Sequence, residues 1–275
     1  MPEAPDLEVI KEFLDHRVIG SVIESCKVLR PTVVRSLAGE ITTDLPGHTL
    51  NKIERRGKFL TISLSGQRSL VINPMLTGAL QYCPPAPAQR VQKKTCLVLG
   101  LAGGQDLRYL DDRQMGKVYY ISDGQEGDVP QYTELGPDVL SDISLEEFTE
   151  RLKKFHGEIK GVLTRGSLVS GIGNAYSDEI LFAAGIFPFR KTRSLKPQEV
   201  DELHRQCRQV LEDAIAVLRE RMGDAIHHKI RDFLKVHNKG GQPCPVCGNN
   251  ITQLTANQRI TSYCRHCQPG MLIRN

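Results

Sequence analysis

A chain of 275 residues, 40% hydrophobic and 25% charged, is long enough for two domains and a sizeable core. It has no apolar run of about 18 residues and no basic-then-apolar leader, so neither a membrane span nor a secretory signal is expected, and the chain reads as cytoplasmic. A net charge of +4 does not by itself argue for a polyanionic partner, but its distribution does: past Asp232 there is no Asp or Glu, while Lys235, Lys239, Arg259, Arg265 and Arg274 all fall there.

The chain opens with Met1-Pro2-Glu3. Small second residues permit removal of the initiator methionine, and the new terminus is then a proline. Its nitrogen is a secondary amine with a pKa near about 8, partly unprotonated at neutral pH and able to attack an electrophilic carbon. Glu3 beside it offers a carboxyl group for proton transfer. From Pro5 to Gly20, Leu7, Ile10, Phe13, Leu14 and Val18 recur at helical spacing. From Ser21 to about Tyr120 the pattern turns to β. Thr61–Leu64, Ser69–Ile72, Cys96–Leu101, Leu107–Leu110 and Lys117–Ile121 read as short strands with turn residues between them, and Pro84-Pro85-Ala86-Pro87 as a rigid loop. Many short strands of this kind predict a β-sandwich or barrel.

Gly136-Pro137-Asp138 marks a boundary, and helices follow. Ser144 to Phe155 fits one, with Ser144 or Asp142 as cap. Leu163 to Ile186 reads as two helices separated by Gly171-Ile172-Gly173. Pro197 to Met222 is long and amphipathic, with Val200, Leu203, Cys207, Val210, Leu211, Ala214, Val217 and Leu218 on one stripe. The tail holds Cys244-Pro245-Val246-Cys247 and Cys264-Arg265-His266-Cys267, two C-x2-C pairs sixteen residues apart. Four thiolates at this spacing suit one tetrahedral Zn²⁺. A pair of redox disulfides is the alternative, disfavoured in a cytosolic chain. Four ligands leave no open position, so such a zinc is structural. The other cysteines, Cys26, Cys83, Cys96 and Cys207, read as small buried hydrophobes.

Four elements in order, Met1-Pro2-Glu3, Arg56-Gly57-Lys58 leading into a strand, Gly171-Ile172-Gly173-Asn174, and Gln258-Arg259 before the second cysteine pair, resemble the formamidopyrimidine-DNA glycosylase / endonuclease VIII family of bifunctional DNA-repair enzymes. Leu135-Gly136-Pro137, Phe182-Ala183-Ala184-Gly185-Ile186 and Gln258 to Cys264 add local likeness, and the resemblance covers nearly the whole chain. It implies an α+β architecture: an N-terminal helix and β-sandwich over 1–134, a helical helix–two-turn–helix domain over 135–233, and a zinc ribbon over 234–275.

The resemblance also implies roles for individual residues. Pro2 attacks C1′ of an extruded nucleotide, displaces the damaged base and leaves a Schiff base. Glu3 protonates the sugar ring oxygen, and β- then δ-elimination cut the strand. Lys58 contacts phosphate and sugar, Arg259 grips phosphates from the ribbon, and Asn174 contacts DNA from the turn before its helix. Lys160 aligns with a lysine near the site. Two loops, Asn73 to Gly78 and Asp112 to Gly116, match those that fill the hole left by the base, with Met75 or Leu76 as the wedge and Arg113 as the partner of the orphaned base. The implied partner is double-stranded DNA containing damaged bases or abasic sites, bound by a monomer associated with a bacterial nucleoid, with no membrane involved.

The sequence departs from the family pattern in places. Asn73 replaces a His common in the formamidopyrimidine branch, and Met115 stands where relatives that prefer purine lesions often carry Phe. Ile230-Arg231-Asp232-Phe233 runs almost directly into Leu234-Lys235-Val236-His237, where enzymes of 8-oxoguanine carry a longer lid. The short connection favours oxidised pyrimidines, ring-opened purines or hydantoins over 8-oxoguanine. The rival readings are a non-catalytic damaged-DNA-binding protein of the same fold, and a zinc-ribbon adaptor, which leaves Pro2-Glu3 unexplained.

Overall fold

The structure, a computed structural model, describes residues 1–85, 89–256 and 259–270. Of the segments singled out above, Ala86 and Pro87, Gln258 and Arg274 lie outside the described residues. The chain packs as two compact units, one of residues 1–134 with 215–230, the other of 135–214 with 231–275.

In the first unit, α1 (Ala4–Val18) starts from Glu3 in an extended conformation, with Pro5 in the first turn, where a missing N–H costs nothing. Its apolar stripe Leu7, Ile10, Leu14 and Val18 is buried. The helix stops at Val18, two residues short of the expected end, because Ile19 is extended and Gly20 turns at φ 85° into the sheet. Nine strands follow among the described residues: β1 (Ile23–Val28), β2 (Val34–Ser36), β3 (Leu50–Arg56), β4 (Phe59–Leu64), β5 (Arg68–Asn73), β6 (Ala79–Cys83), β7 (Thr95–Leu101), β8 (Gln105–Leu110) and β9 (Lys117–Ser122). A short helix, α2 (Ile41–Asp44), lies between β2 and β3. The strands form two sheets, β2-β9-β5-β4-β3 and β1-β7-β8-β6, antiparallel throughout except for β2 on β9. These are the two layers of the expected sandwich.

One detail of register positions the site. The loop after β5 crosses from the five-stranded to the four-stranded sheet, and the loop after β8 crosses back. Asn73 pairs with Lys117 in one sheet and Ala79 with Leu110 in the other. Both ends of the two crossovers are therefore pinned opposite each other, which lays the loops side by side.

The second unit is helical. Its elements are α3 (Leu145–Lys153), α4 (Ile159–Thr164), α5 (Asn174–Ala183) and α6 (Pro197–Arg221), then a hairpin of β10 (Thr252–Ala256) and β11 (Arg259–Tyr263). Residues of α6 from Ile215 onward belong to the first unit. Ser144 caps α3, its hydroxyl accepting from the Glu147 N–H at 3.1 Å. The helix pair expected over Leu163 to Ile186 begins earlier: the first helix spans Ile159–Thr164, and Gly166 at φ 83° follows its end. On α6 the expected stripe is buried at Leu203, Cys207, Leu211, Ala214 and Leu218, whereas Val210 and Val217 are half-buried and Ile215 takes an inward place. Phe182 of α5, Val236, Ile251, Cys244 and Cys264 share one apolar cluster, so the paired-cysteine ribbon is packed on the helical layer. No helix among the described residues is long and apolar enough to cross a membrane.

Candidate active site and metal centre

Pro2 and Glu3 are buried at the start of α1, and Glu3 is 2% exposed. The Glu3 N–H donates to Asp6 Oδ2 at 2.8 Å and the Glu3 carbonyl accepts from Leu7 N at 3.1 Å, so the backbone entering the helix is held on both sides. Lys58 sits half-buried in the turn between β3 and β4. That turn is braced against α1 by a residue the sequence reading passed over. Arg55, its side chain 4% exposed, donates through Nε to Glu8 Oε2 at 2.6 Å and through Nη1 to the Gly57 carbonyl at 2.9 Å. One guanidinium thus ties the helix that carries Pro2 and Glu3 to the turn that carries Lys58, using the fixed fork geometry that a lysine lacks.

The two crossover loops of the same unit present the remaining side chains expected there. Leu76 and Met115 are 45% and 39% exposed, which removes them from the core; Arg113 is exposed and Met75 half-buried. The Lys229 ammonium donates to the Leu76 carbonyl at 2.9 Å.

In the second unit, Asn174 opens α5 and donates through Nδ2 to the Ile260 carbonyl at 2.8 Å. Lys160 donates to that carbonyl at 2.7 Å and to Thr261 Oγ1 at 2.9 Å, and pairs with Asp178 Oδ1 at 2.7 Å. Lys160, aligned above with a lysine near the site, is 7% exposed. A buried ammonium is stable only when paired, and Asp178 supplies the charge. Its observed part is to hold β11 beside Arg259, the exposed first residue of that strand. Asp178 Oδ2 also accepts from Ser262 N at 3.1 Å and lies 2.7 Å from His237 Nδ1, which with a carboxylate as partner carries the proton. The neighbouring Glu179 accepts from the backbone N–H of Lys235, Val236 and His237 at 2.8, 2.9 and 2.8 Å. The signal for both acids was present in the sequence: two adjacent carboxylates inside the mostly apolar stretch Ala175 to Phe182.

Cys244, Cys247, Cys264 and Cys267 bring their sulfurs within 4.8 Å of one another, with Cys244 Sγ to Cys267 Sγ at 3.8 Å and Cys247 Sγ to Cys264 Sγ at 3.4 Å. A tetrahedron with Zn–S bonds of about 2.3 Å has S···S edges of about 3.8 Å, so the donor set fits one structural zinc ion. Without a metal the Asn249 backbone N–H holds the Cys247 thiol below its usual range while burial pushes Cys264 and Cys267 up, so the donor set rests on its geometry. Cys207, by contrast, is wholly buried and pushed up to about 12, as an inert core thiol should be.

Residues 1–118 match the formamidopyrimidine-DNA glycosylase N-terminal domain, 135–225 the H2TH domain of the same enzymes, and 241–270 a zinc finger found in these glycosylases and in isoleucyl-tRNA synthetase. A formamidopyrimidine-DNA glycosylase of Symbiobacterium thermophilum is 38% identical over 98% of this chain and 90% of its own length. One from Pelotomaculum thermopropionicum is 32% identical over 98% and 99%. Among solved structures, the Lactococcus lactis enzyme in complex with DNA containing an abasic site superposes with a TM-score of 0.87 at 29% identity, covering 98% of this chain and 100% of that one. The Thermus thermophilus MutM protein gives 0.85 at 29% identity, covering 97% and 98%. Matched in order along nearly its whole length, the chain belongs to the formamidopyrimidine-DNA glycosylase family of DNA-repair enzymes.

Proposed function

We propose that this chain, once Met1 is removed, excises damaged bases from double-stranded DNA through a Schiff base at Pro2 and then cleaves the strand by β,δ-elimination. The observation that carries the reading is the Pro2-Glu3 pair, buried and backbone-anchored at the head of α1, where an unused terminus would fray. The proline nitrogen attacks C1′, the C1′–N bond of the damaged base breaks, and Glu3 protonates the ring oxygen so that the sugar opens to the iminium. The iminium acidifies the C2′ proton, and its loss expels the 3′ phosphate; a second elimination expels the 5′ phosphate. Lys58, Asn174 and Arg259 hold phosphates around the lesion, Met75 or Leu76 fills the vacated stack, and Arg113 faces the orphaned base. One copy of the chain carries this set, so it works as a monomer on DNA. The short connection from Ile230 to His237 leaves no room in the chain for a long lid, which favours oxidised pyrimidines, ring-opened purines or hydantoins over 8-oxoguanine.

Borohydride added to the protein and an abasic duplex is expected to trap a covalent adduct that Pro2→Gly abolishes. A purified active protein that still begins with Met1 rejects the mechanism, because its proline nitrogen is then a tertiary amide. Absence of the adduct supports the non-catalytic damaged-DNA-binding alternative. Paired excision assays on 8-oxoguanine and thymine glycol duplexes test the lesion preference, and a clear excess for 8-oxoguanine rejects it.

A further inference from the structure

We infer that Asp111 is a positioning residue that joins the two crossover loops into one insertion unit; the inference rests on the wedge reading of those loops given above. Asp111 is 1% exposed and accepts from four donors. Its Oδ1 takes the Thr77 hydroxyl and, at 3.2 Å, the Arg113 N–H; its Oδ2 takes the Gly116 N–H at 2.7 Å and the Tyr109 hydroxyl at 3.4 Å. Thr77 belongs to the loop with Met75 and Leu76. Arg113 and Gly116 belong to the loop with Met115. A single carboxylate therefore spans the two.

Carboxylate chemistry is required at this point. Each oxygen faces one backbone N–H, from Arg113 on one side and Gly116 on the other, and neither can turn away. An ionised Asp accepts on both sides, whereas an Asn of the same shape must point its NH₂ at one of those N–H groups whichever way it is flipped. The packing around the node is equally specific. A Cβ on Gly78 would come within 2.2 Å of Tyr109 Oη, and one on Gly116 within 1.9 Å, so Tyr109 is wedged between both loops at the two points where no side chain exists.

The loops store strain that something must hold. Met75 at φ 46° and Gln114 at φ 52° are non-glycine residues in the left-handed region. Such residues persist only where their surroundings over-determine them. Asn73 Oδ1 receives the Met75 N–H at 3.1 Å, and the Gln114 carbonyl receives the Lys117 ammonium at 3.4 Å. These bonds fix each loop singly; only the Asp111–Thr77 bond among them crosses from one loop to the other. With it in place, the wedge and the residue facing the orphaned base enter the duplex together. Without it, each samples its own positions and the extruded state is held less well.

The test uses the full chain and a duplex in which 2-aminopurine neighbours a tetrahydrofuran abasic analogue, so that fluorescence reports unstacking on binding. Thr77→Val removes only the inter-loop bond. It is expected to slow the fluorescence rise by about tenfold to 100-fold, the scale on which misplacing groups by about 1 Å acts. Asp111→Asn is expected to do the same, and Thr77→Ser to restore the wild-type rate. Borohydride trapping on a single-stranded abasic oligonucleotide, where no base pair need open, is expected to be unchanged in Thr77→Val. Wild-type unstacking in both Thr77→Val and Asp111→Asn overturns the inference. So does an equal loss on duplex and single strand, since that assigns the node to folding alone. Met75→Ala judges the wedge reading separately: a normal rate there rejects Met75 as the wedge while Thr77→Val still decides the inter-loop bond.

Discussion

Asp111 in the first unit and Asp178 in the second are both buried carboxylates, 1% and 0% exposed, yet their partners differ in kind. Asp111 is surrounded by neutral donors, two of them backbone N–H groups whose positions are set by the chain. Asp178 is paired with the Lys160 ammonium and bonded to His237. The first arrangement dictates geometry: Tyr109, Arg113 and Gly116 are close neighbours of Asp111 in the chain, and Thr77 alone among its four donors comes from the other loop. The second joins distant parts of the chain, α4, α5, β11 and the segment at His237, at the cost of desolvating charge. An Asn in place of Asp111 would turn a donor toward one of the two backbone N–H groups, whereas a buried ion pair can often be exchanged for apolar residues when both partners go together.

That contrast can be broken or sharpened experimentally. The largest effect is expected from metal removal. Chelation takes away the ion that ties Cys244 and Cys247 to Cys264 and Cys267, and structural zinc in small fingers contributes on the order of 10 kcal/mol. Far-UV circular dichroism and duplex affinity should both fall on treatment with a strong chelator and return with Zn²⁺; retained affinity in verified metal-free protein would show that the Asp178 node holds β11 without the metal. Next is Asp178→Ala, which strands Lys160 in a dry site and is expected to cost about 3–5 kcal/mol in denaturant unfolding. Asp178→Leu combined with Lys160→Met should recover only part of that loss, since the Ser262 N–H and the His237 ring still lose their acceptor, and no recovery at all would mean that the stranded ammonium is not what Asp178→Ala exposes.

Gly116→Ala is expected to cost about 1–3 kcal/mol, because its methyl collides with the Tyr109 hydroxyl. Tyr109→Phe in the same chain should relieve part of the cost, and simple additivity in a double-mutant cycle would dissociate Tyr109 from the loop. The smallest effect lies on the surface. Arg219 donates to Glu12 at 2.5 and 2.8 Å, and this hydrogen bond chiefly holds the Glu12 carboxyl below its ordinary 4.5. A depressed folded pKa stabilises above the unfolded value and is lost as pH falls through the folded one. Glu12→Gln should therefore cost less than about 1 kcal/mol at pH 7, with the difference from wild type fading below pH 4 and in high salt.

The parts of the site that the sequence disclosed are those whose chemistry is local. Pro2 and Glu3 are adjacent, the two C-x2-C pairs carry their own spacing, and the glycines before Asn174 signal a turn into a helix. Arg55 escaped notice because its partners, Glu8 and the Gly57 carbonyl, are chosen by how α1 lies on β3, which no periodicity encodes. The burial of Lys160 was illegible for the same reason: from sequence a lysine has no burial, and only the approach of β11 and Asp178 gives it one.

By itself the sequence determined the order of elements, the helical and β periodicities, the metal-ligating tetrad and the chemistry available at the N-terminus, because each depends on residues close together in the chain. Tertiary structure alone decided that the two crossover loops lie side by side, that Asp111 sits beneath both, and that one carbonyl at Ile260 is shared by Asn174 and Lys160. Those outcomes depend on strand register and on burial of charge, and both are settled by contacts between residues far apart in sequence.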